Sequence, residues 1–372
     1  MFSIVRFVAV PHGAKHEFDR APAPGVLKHR YVLSLRHRYV ITHRHLRKVL
    51  YGFVYRNFSP SMKRCQTLVE VIAEAMRIVE KEREDDGSEI FFRGVAKNHA
   101  SEDPIEPVDT YFPCSLYQKK GSTLYKYERQ IFEEAMRYNV ASFEKDRTMI
   151  DRLVRMQHYI LPTRVADLSE NMMQSIAFAA GGGSASYGGD IYPDRDGFLR
   201  IVKVARHKMK SWTSDIITAI AHLPLVDCDR LDFDKHDGLD VLRYEIMKER
   251  PGFGFTDERP RWNERLKREL QQVWAFKPRL NNDRIKNQSG LFIAYGCGNH
   301  KAPIYPTYSP DDYDNEESPS YGIKQVGAVQ IAGSAKAEIL EDLRMFGMPE
   351  ERIYPELSNV CKTIGDRFKK KG

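Results

Sequence analysis

Three short stretches hold the residues whose types and spacing could do chemistry. The first is Phe91-Phe92-Arg93-Gly94, a guanidinium set in an apolar run. Such a group is costly to bury alone, so it must meet a carboxylate, a carbonyl or the phosphate of a ligand. Gly94 removes a side chain beside it and lets another backbone or a ligand approach. The second stretch is Met156-Gln157-His158-Tyr159-Ile160-Leu161-Pro162-Thr163-Arg164-Val165-Ala166-Asp167-Leu168-Ser169. It crowds amide, imidazole, phenol, hydroxyl, guanidinium and carboxylate into a helix-to-loop junction, where binding groups sit on a rigid support. The third, Asn287-Gln288-Ser289-Gly290-Leu291-Phe292, feeds polar residues into a strand.

Each stretch also has a plainer reading. Arg93 could pair with a core acid such as Glu128 or Asp167, His158 could be a satisfied core histidine, and Asp167 could cap a turn or pair with Arg164. No second carboxylate at fixed spacing makes an acid/base pair, and there is no G-x-S-x-G elbow. The glycines of residues 181–189 lack the Lys-Ser/Thr of a phosphate loop and read as a linker. Clustered carboxylates of the kind a metal-assisted nuclease uses are missing too. Cys65, Cys114, Cys228, Cys297 and Cys361 are odd in number and scattered without a C-x-x-C pair, which argues against a disulfide framework or a zinc site.

The elements that must position these groups follow from periodicity. Leu68, Ile72, Ala75, Met76 and Val79 recur at helical spacing, and the aromatic run at residues 89–95 reads as a buried strand. Residues 98–112 read as a loop, residues 124–138 and 146–158 as helices, and Pro162 forces the chain out of helical geometry. Ser169 and Glu170 precede the apolar run of Met172, Met173, Ile176, Ala177 and Ala180, which reads as a capped helix. Residues 198–204 alternate as a strand with apolar and basic faces. Helices are expected over 208–222, 239–248, 263–272, 334–346 and after Ser358, strands over 273–276, 290–295 and 324–331, and a long loop over 296–320. The sum is an α+β fold in which mixed helices surround a small split β-sheet.

A chain of 372 residues with 42% hydrophobic and 29% charged residues can bury a large core. Its net charge of +7 is concentrated early, since residues 21–69 contain no acid while Arg30, Arg36, Arg38, Arg44 and Arg47 interleave with histidines and aromatic residues. Residues 28–48 are therefore suited to binding phosphate backbones of a nucleic acid. The division expected is a basic extension over 1–61, poorly structured or atypical, and a folded body over 62–372. The apolar start is broken by Arg6 and falls short of the ~20 residues a bilayer crossing needs, so a cytoplasmic location without membrane contact is expected.

Taken in order, Phe92-Arg93-Gly94, Gln157-His158-Tyr159, Leu161-Pro162-Thr163-Arg164, Asp167, Ala177-Phe178-Ala179, Gln288-Ser289-Gly290-Leu291-Phe292 and Ile353-Tyr354-Pro355-Glu356-Leu357 resemble FRG-domain proteins over residues 67–368. Ile160, Val165-Ala166 and Leu168 depart from the pattern of that family. The order of motifs is also similar, more distantly, to ADP-ribosyltransferases: an Arg-Gly on a first strand, a Ser/Thr element before a helix, and a late strand opened by a glutamate. That resemblance implies a pocket for NAD as substrate, with Arg93, Gly94, Gln157, Thr163, Arg164, Asp167 and Ser169 binding it. It implies catalytic roles for Gln288, His158, Tyr159 and Glu128, with Gln288 standing where a glutamate is expected. A bacterial or phage toxin or defence setting, and a protein acceptor, belong to the same expectation. The alternative is a non-catalytic nucleotide- or nucleic-acid-binding module that uses residues 28–48.

Overall fold

Phe91 and Phe92 point to opposite faces of one strand and both are buried, so the strand carrying Arg93 lies in a sheet covered on both sides. A computed structural model describes residues 62–83, 86–96, 113–117, 123–138, 140–159, 161–181, 195–253, 259–281, 286 and 290–354. Eight strands form the sheet: β1 (Arg64–Cys65), β2 (Glu89–Val95), β3 (Val165–Ser169), β4 (Gly197–Val204), β5 (Met209–Ser211), β6 (Val273–Lys277), β7 (Gly290–Tyr295) and β8 (Ile323–Ile331). Their spatial order is β1-β8-β4-β2-β3-β7-β6-β5. The β1–β8 and β5–β6 pairs are parallel and the rest antiparallel.

The sheet is split in the middle. β2 follows β4 along its whole length, from Glu89↔Val204 to Val95↔Phe198, and β3 follows β7 from Val165↔Ala294 to Ser169↔Gly290. Between β2 and β3 the described register holds only Phe92↔Ser169. Beyond that bridge the two half-sheets part, and the gap opens beside Arg93, Gly94 and Asp167.

Helices cover one face. α1 (Leu68–Glu82), α4 (Met172–Ala179) and α8 (Lys336–Met345) pack with Phe92, Leu199, Ile201, Val329 and Ile331 over the β8-β4-β2 half. α3 (Met149–His158), α5 (Asp215–His222), α6 (Asp240–Glu249) and α7 (Arg259–Leu270) cover the β3-β7-β6 half, and α2 (Glu128–Tyr138) joins the same cluster through Phe132. The other face is covered by chain without long helices: Leu116, Tyr117, Ile304 and Tyr308 pack on Phe91, Ala166, Leu168, Val202, Leu291 and Ile293. These apolar clusters, at roughly 25 cal/mol per Å² of apolar surface removed from water, hold both half-sheets in place around the gap.

The α+β expectation stands, with an eight-stranded sheet in place of a small one. β3 is an addition, since residues 165–169 read as loop in the sequence. β4 is buried on both faces because helices cover one and loops the other, so its basic residues are not solvent-facing. Arg200 donates to Gln325 Oε1 at 2.9 Å and Lys203 lies 3.2 Å from Asp86. The helix expected over 208–222 is instead a short turn, β5 and then α5. Asn171, not Ser169, caps α4 by accepting from the Gln174 amide. The segment 296–320 contains the helical turns Asn299–Lys301 and Pro310–Tyr313, so its length is ordered rather than open. Gly347, at φ 78°, stops α8 as its position suggests. The expected loop at 98–112, the extension over 1–61 and the helix after Ser358 lie outside the described residues. Among the described residues no helix is long and apolar enough to cross a membrane, and no group of three or more His, Cys, Asp or Glu could hold a metal ion.

Candidate functional site

Thr148 starts α3 with a capping box, its hydroxyl taking the Asp151 amide while the Asp151 carboxylate takes the Thr148 amide. The helix ends at His158, and the chain must then reverse through Leu161 and Pro162 to enter β3. This reversal sets Gln157 of the last helical turn against Thr163 and Asp167 of the incoming strand. Gln157 Oε1 accepts from the Thr163 hydroxyl at 2.7 Å and from the Ser115 hydroxyl at 3.2 Å. Two hydroxyl donors on the oxygen fix the amide orientation, so Nε2 is the edge that faces Asp167 Oδ1, at 3.4 Å. Ser115 is itself held by the Thr163 amide, which donates to its oxygen at 2.9 Å.

Arg93 reaches across the gap from β2. Its Nη1 donates to the Asp167 carbonyl at 2.6 Å and to Asp167 Oδ1 at 3.1 Å. The carbonyl bond stands in for the ladder bond that β2 and β3 forgo where they diverge. Arg93 and Gln157 therefore converge on one oxygen, Oδ1, while no described donor contacts Oδ2. The Asp167 side chain is 37% exposed and that of Arg93 17%, so the pair is reached by solvent and is not sealed in the core. Burial pulls the Asp167 carboxyl upward, but the Arg93 charge, its own backbone amide and His158 outweigh it and hold the pKa below the ordinary aspartate range. The group is ionised at neutral pH.

Gly94 lets α4 pack closely on the strand. A Cβ there would stand 1.8 Å from the Ser175 carbonyl oxygen and 2.7 Å from the Ala179 nitrogen, both in α4. Ser169 is buried, accepts from the Asn171 amide at 2.9 Å and donates to Gln174 Oε1 at 3.4 Å, which turns it toward the start of α4.

Two residues expected in the site lie elsewhere. Arg164 and Glu128 are buried together, with Arg164 Nε 2.6 Å from Glu128 Oε1 and Nη2 bonded to Oε2. Lys301 adds a second cation 2.8 Å from Glu128 Oε2 and donates to the carbonyls of Leu223 and Val226 at 2.9 and 3.0 Å. Arg164 also donates to Tyr117 Oη and the Tyr295 carbonyl. Glu128 thus has a structural assignment, which corrects its catalytic one, and Arg164 is a core anchor and not a ligand-binding group. His158 is buried with its ring 5.8 Å from that of Phe292, and it adds to the lowering of the Asp167 pKa. Tyr159, half exposed, caps α3 and faces an open apolar groove of about 820 Å³ shared with Leu124, Ile131, Ala135 and Phe143. Gln288 and residues 28–48 lie outside the described residues. Cys65, Cys114, Cys228 and Cys297 are free thiols, and burial pushes Cys114 up to about 12.

Residues 88–187, which contain β2, β3, α3, α4 and the whole Arg93–Asp167–Gln157–Thr163 constellation, match the family model described as FRG domain. The chain carries an FRG domain. Within that FRG domain the phenylalanine of the eponymous triplet fills the helical core, the arginine enters the sheet gap and the glycine admits α4. The strands β1 and β4 to β8, which complete the sheet, come from outside the matched segment. No curated protein and no solved structure matches the chain.

Proposed function

We propose that the gap between β2 and β3 in the FRG domain is a nucleotide pocket in which Arg93 binds phosphate, and that NAD is its ligand and substrate. The chemistry is cleavage of NAD at the nicotinamide–ribose bond, by transfer to an acceptor or to water. One observation carries this reading. Of the motif ranks that parallel the ADP-ribosyltransferase order, Arg93-Gly94, then Thr163 or Ser169 before Ile176–Ala179, then Gln288 or Gly290, the members Arg93-Gly94, Ser169 and Gly290 lie on three neighbouring strands. Ser169 and Gly290 are aligned in one row with Phe92, the neighbour of Arg93, by Phe92↔Ser169 and Ser169↔Gly290. That row ends where the sheet divides, and a cleft at a sheet division with a guanidinium and convergent polar groups is where a ligand is held in place. A toxin or phage-defence setting follows from the family resemblance alone.

The experiment is titration of the full chain with ADP-ribose and NAD, for the parent and Arg93→Ala, alongside an assay of released nicotinamide. The alanine variant is expected to fold and to lose nucleotide affinity by at least ~10-fold, the worth of a charge-assisted contact of about 1.5–3 kcal/mol. Unchanged affinity in Arg93→Ala removes the pocket. Binding of DNA or RNA that falls steeply with salt and disappears on deleting residues 1–61, with no nicotinamide released, favours the interaction module instead.

A further inference from the structure

A reaction at the nicotinamide–ribose bond needs negative charge near the ribose carbon, and the sequence offers an amide, Gln288, where a glutamate is expected. Glu128 cannot fill the role, because Arg164 and Lys301 hold it in the core. We infer that Asp167, presented by Arg93 and Gln157, is the catalytic carboxylate of this FRG domain. This rests on the nucleotide reading of the same site.

Three features of the geometry carry it. Both side-chain donors, Arg93 Nη1 at 3.1 Å and Gln157 Nε2 at 3.4 Å, fall on Oδ1. Oδ2 takes neither and belongs to a side chain that is 37% exposed, so it is the oxygen a ligand meets. The backbone is pinned as well, since the Asp167 carbonyl takes Arg93 at 2.6 Å, so the carboxylate is positioned before any ligand arrives. Glu170, the next acid along the chain, is engaged by Lys277 at 2.7 Å and lies past the Phe92↔Ser169 bridge, outside the gap.

In the step assigned to it, the bond from ribose C1′ to the pyridinium nitrogen breaks and its electron pair leaves with neutral nicotinamide. The positive charge that develops on the ribose ring faces Oδ2. Water then forms the new C1′–O bond, and its proton passes to Oδ2 and on to solvent, leaving ADP-ribose and the regenerated carboxylate. Arg93 keeps the phosphate end in place throughout. Asp167 thereby supplies charge stabilisation and the base, both from one oxygen.

Asp167→Asn in the full chain tests this. An asparagine keeps the backbone carbonyl and an Oδ1 acceptor for Arg93 and Gln157, so ADP-ribose affinity is expected within about 3-fold of the parent. Nicotinamide release is expected to fall by ~100-fold or more, the usual loss of a positioned stabilising group. A variant that releases nicotinamide at the parent rate overturns the assignment, and so does a parent chain that binds ADP-ribose but never cleaves NAD, although the pocket then stands. A parent chain that binds neither nucleotide overturns pocket and assignment together. Should Asp167→Asn fail to fold, Gln157→Leu decides the matter. Loss of a donor to Oδ1 is expected to move the acidic limb of the pH–rate profile upward, and an unmoved limb excludes Asp167 as the titrating group.

Discussion

The carbonyl oxygen of Ser175 lies 1.8 Å from where a side chain on Gly94 would begin. The same helix presents the Ala179 carbonyl 2.0 Å from the Cβ position of Gly197 on the neighbouring strand. α4 therefore rides directly on the β2–β4 ladder, and the two glycines are the floor it rests on.

Alanine at either position forces α4 off the sheet. Gly94→Ala and Gly197→Ala are each expected to lower the unfolding free energy by about 3 kcal/mol, the upper part of the usual overpacking range. Because one retreat of the helix relieves both clashes, the double variant should cost clearly less than the sum. Urea unfolding of the four chains measures this, and strict additivity would mean that the two contacts are relieved separately.

Much of this arrangement is legible from residue types alone, and the parts that are not have physical causes. The helical stripe of α1 and the aromatic run of β2 read correctly because tertiary packing agrees with local pattern there. β3 did not read as a strand, because Asp167 interrupts its apolar residues at the place where the sheet divides and a polar side chain stays partly exposed. Gln157, Thr163 and Asp167 were legible as a cluster since they are close in the chain. Ser115 was not, being a lone serine that only the third dimension brings to Gln157. Glu128 and Arg164 look like site chemistry in the sequence for a similar reason, and Lys301, which joins them, gives no signal there. Their mutual burial depends on three segments far apart in the chain.

Glu128→Ala is expected to cost about 3–5 kcal/mol, since it leaves Arg164 and Lys301 buried without their shared anion. The pH dependence has a definite sign. Burial would raise the Glu128 pKa, but the two cations outweigh it and the folded value is lowered. Its contribution is thus fully present above the ordinary glutamate range and is lost as pH falls through the folded value. Acid titration followed by circular dichroism should show a milder acid-induced fall in stability for the alanine variant than for the parent, from a lower starting stability.

Thr163→Val keeps the shape at that position and deletes the hydroxyl that donates to Gln157 Oε1 at 2.7 Å. The expected cost is ~1 kcal/mol, that of one buried neutral hydrogen bond. With the Gln157 amide freed to turn, its hold on Asp167 weakens, so nicotinamide release should fall while ADP-ribose affinity stays close to that of the parent. Thermal unfolding, titration calorimetry and the nicotinamide assay on the same samples separate these effects.

Lys208, immediately before the edge strand β5, is fully buried, with its ammonium 4.1 Å from the Trp274 ring centre and 5.3 Å from that of Tyr321. It donates to Gln272 Oε1 at 2.6 Å, a neutral acceptor. Burial, with Lys210 adding repulsion and Glu269 opposing it, brings its pKa down to about 7. An unfolded chain keeps the ordinary lysine value, so between about 7 and 10 the unfolded state binds the extra proton and stability rises with pH. Below that window both states are protonated and the full cost of burying the charge is felt. Lys208→Met removes the titrating group while filling the same channel between the rings. Its stability should therefore change less steeply than that of the parent from about pH 7 to 10, whatever the offset between the two curves. Denaturant midpoints taken across that range give the comparison directly, and parallel curves would place the proton-linked stability at another residue.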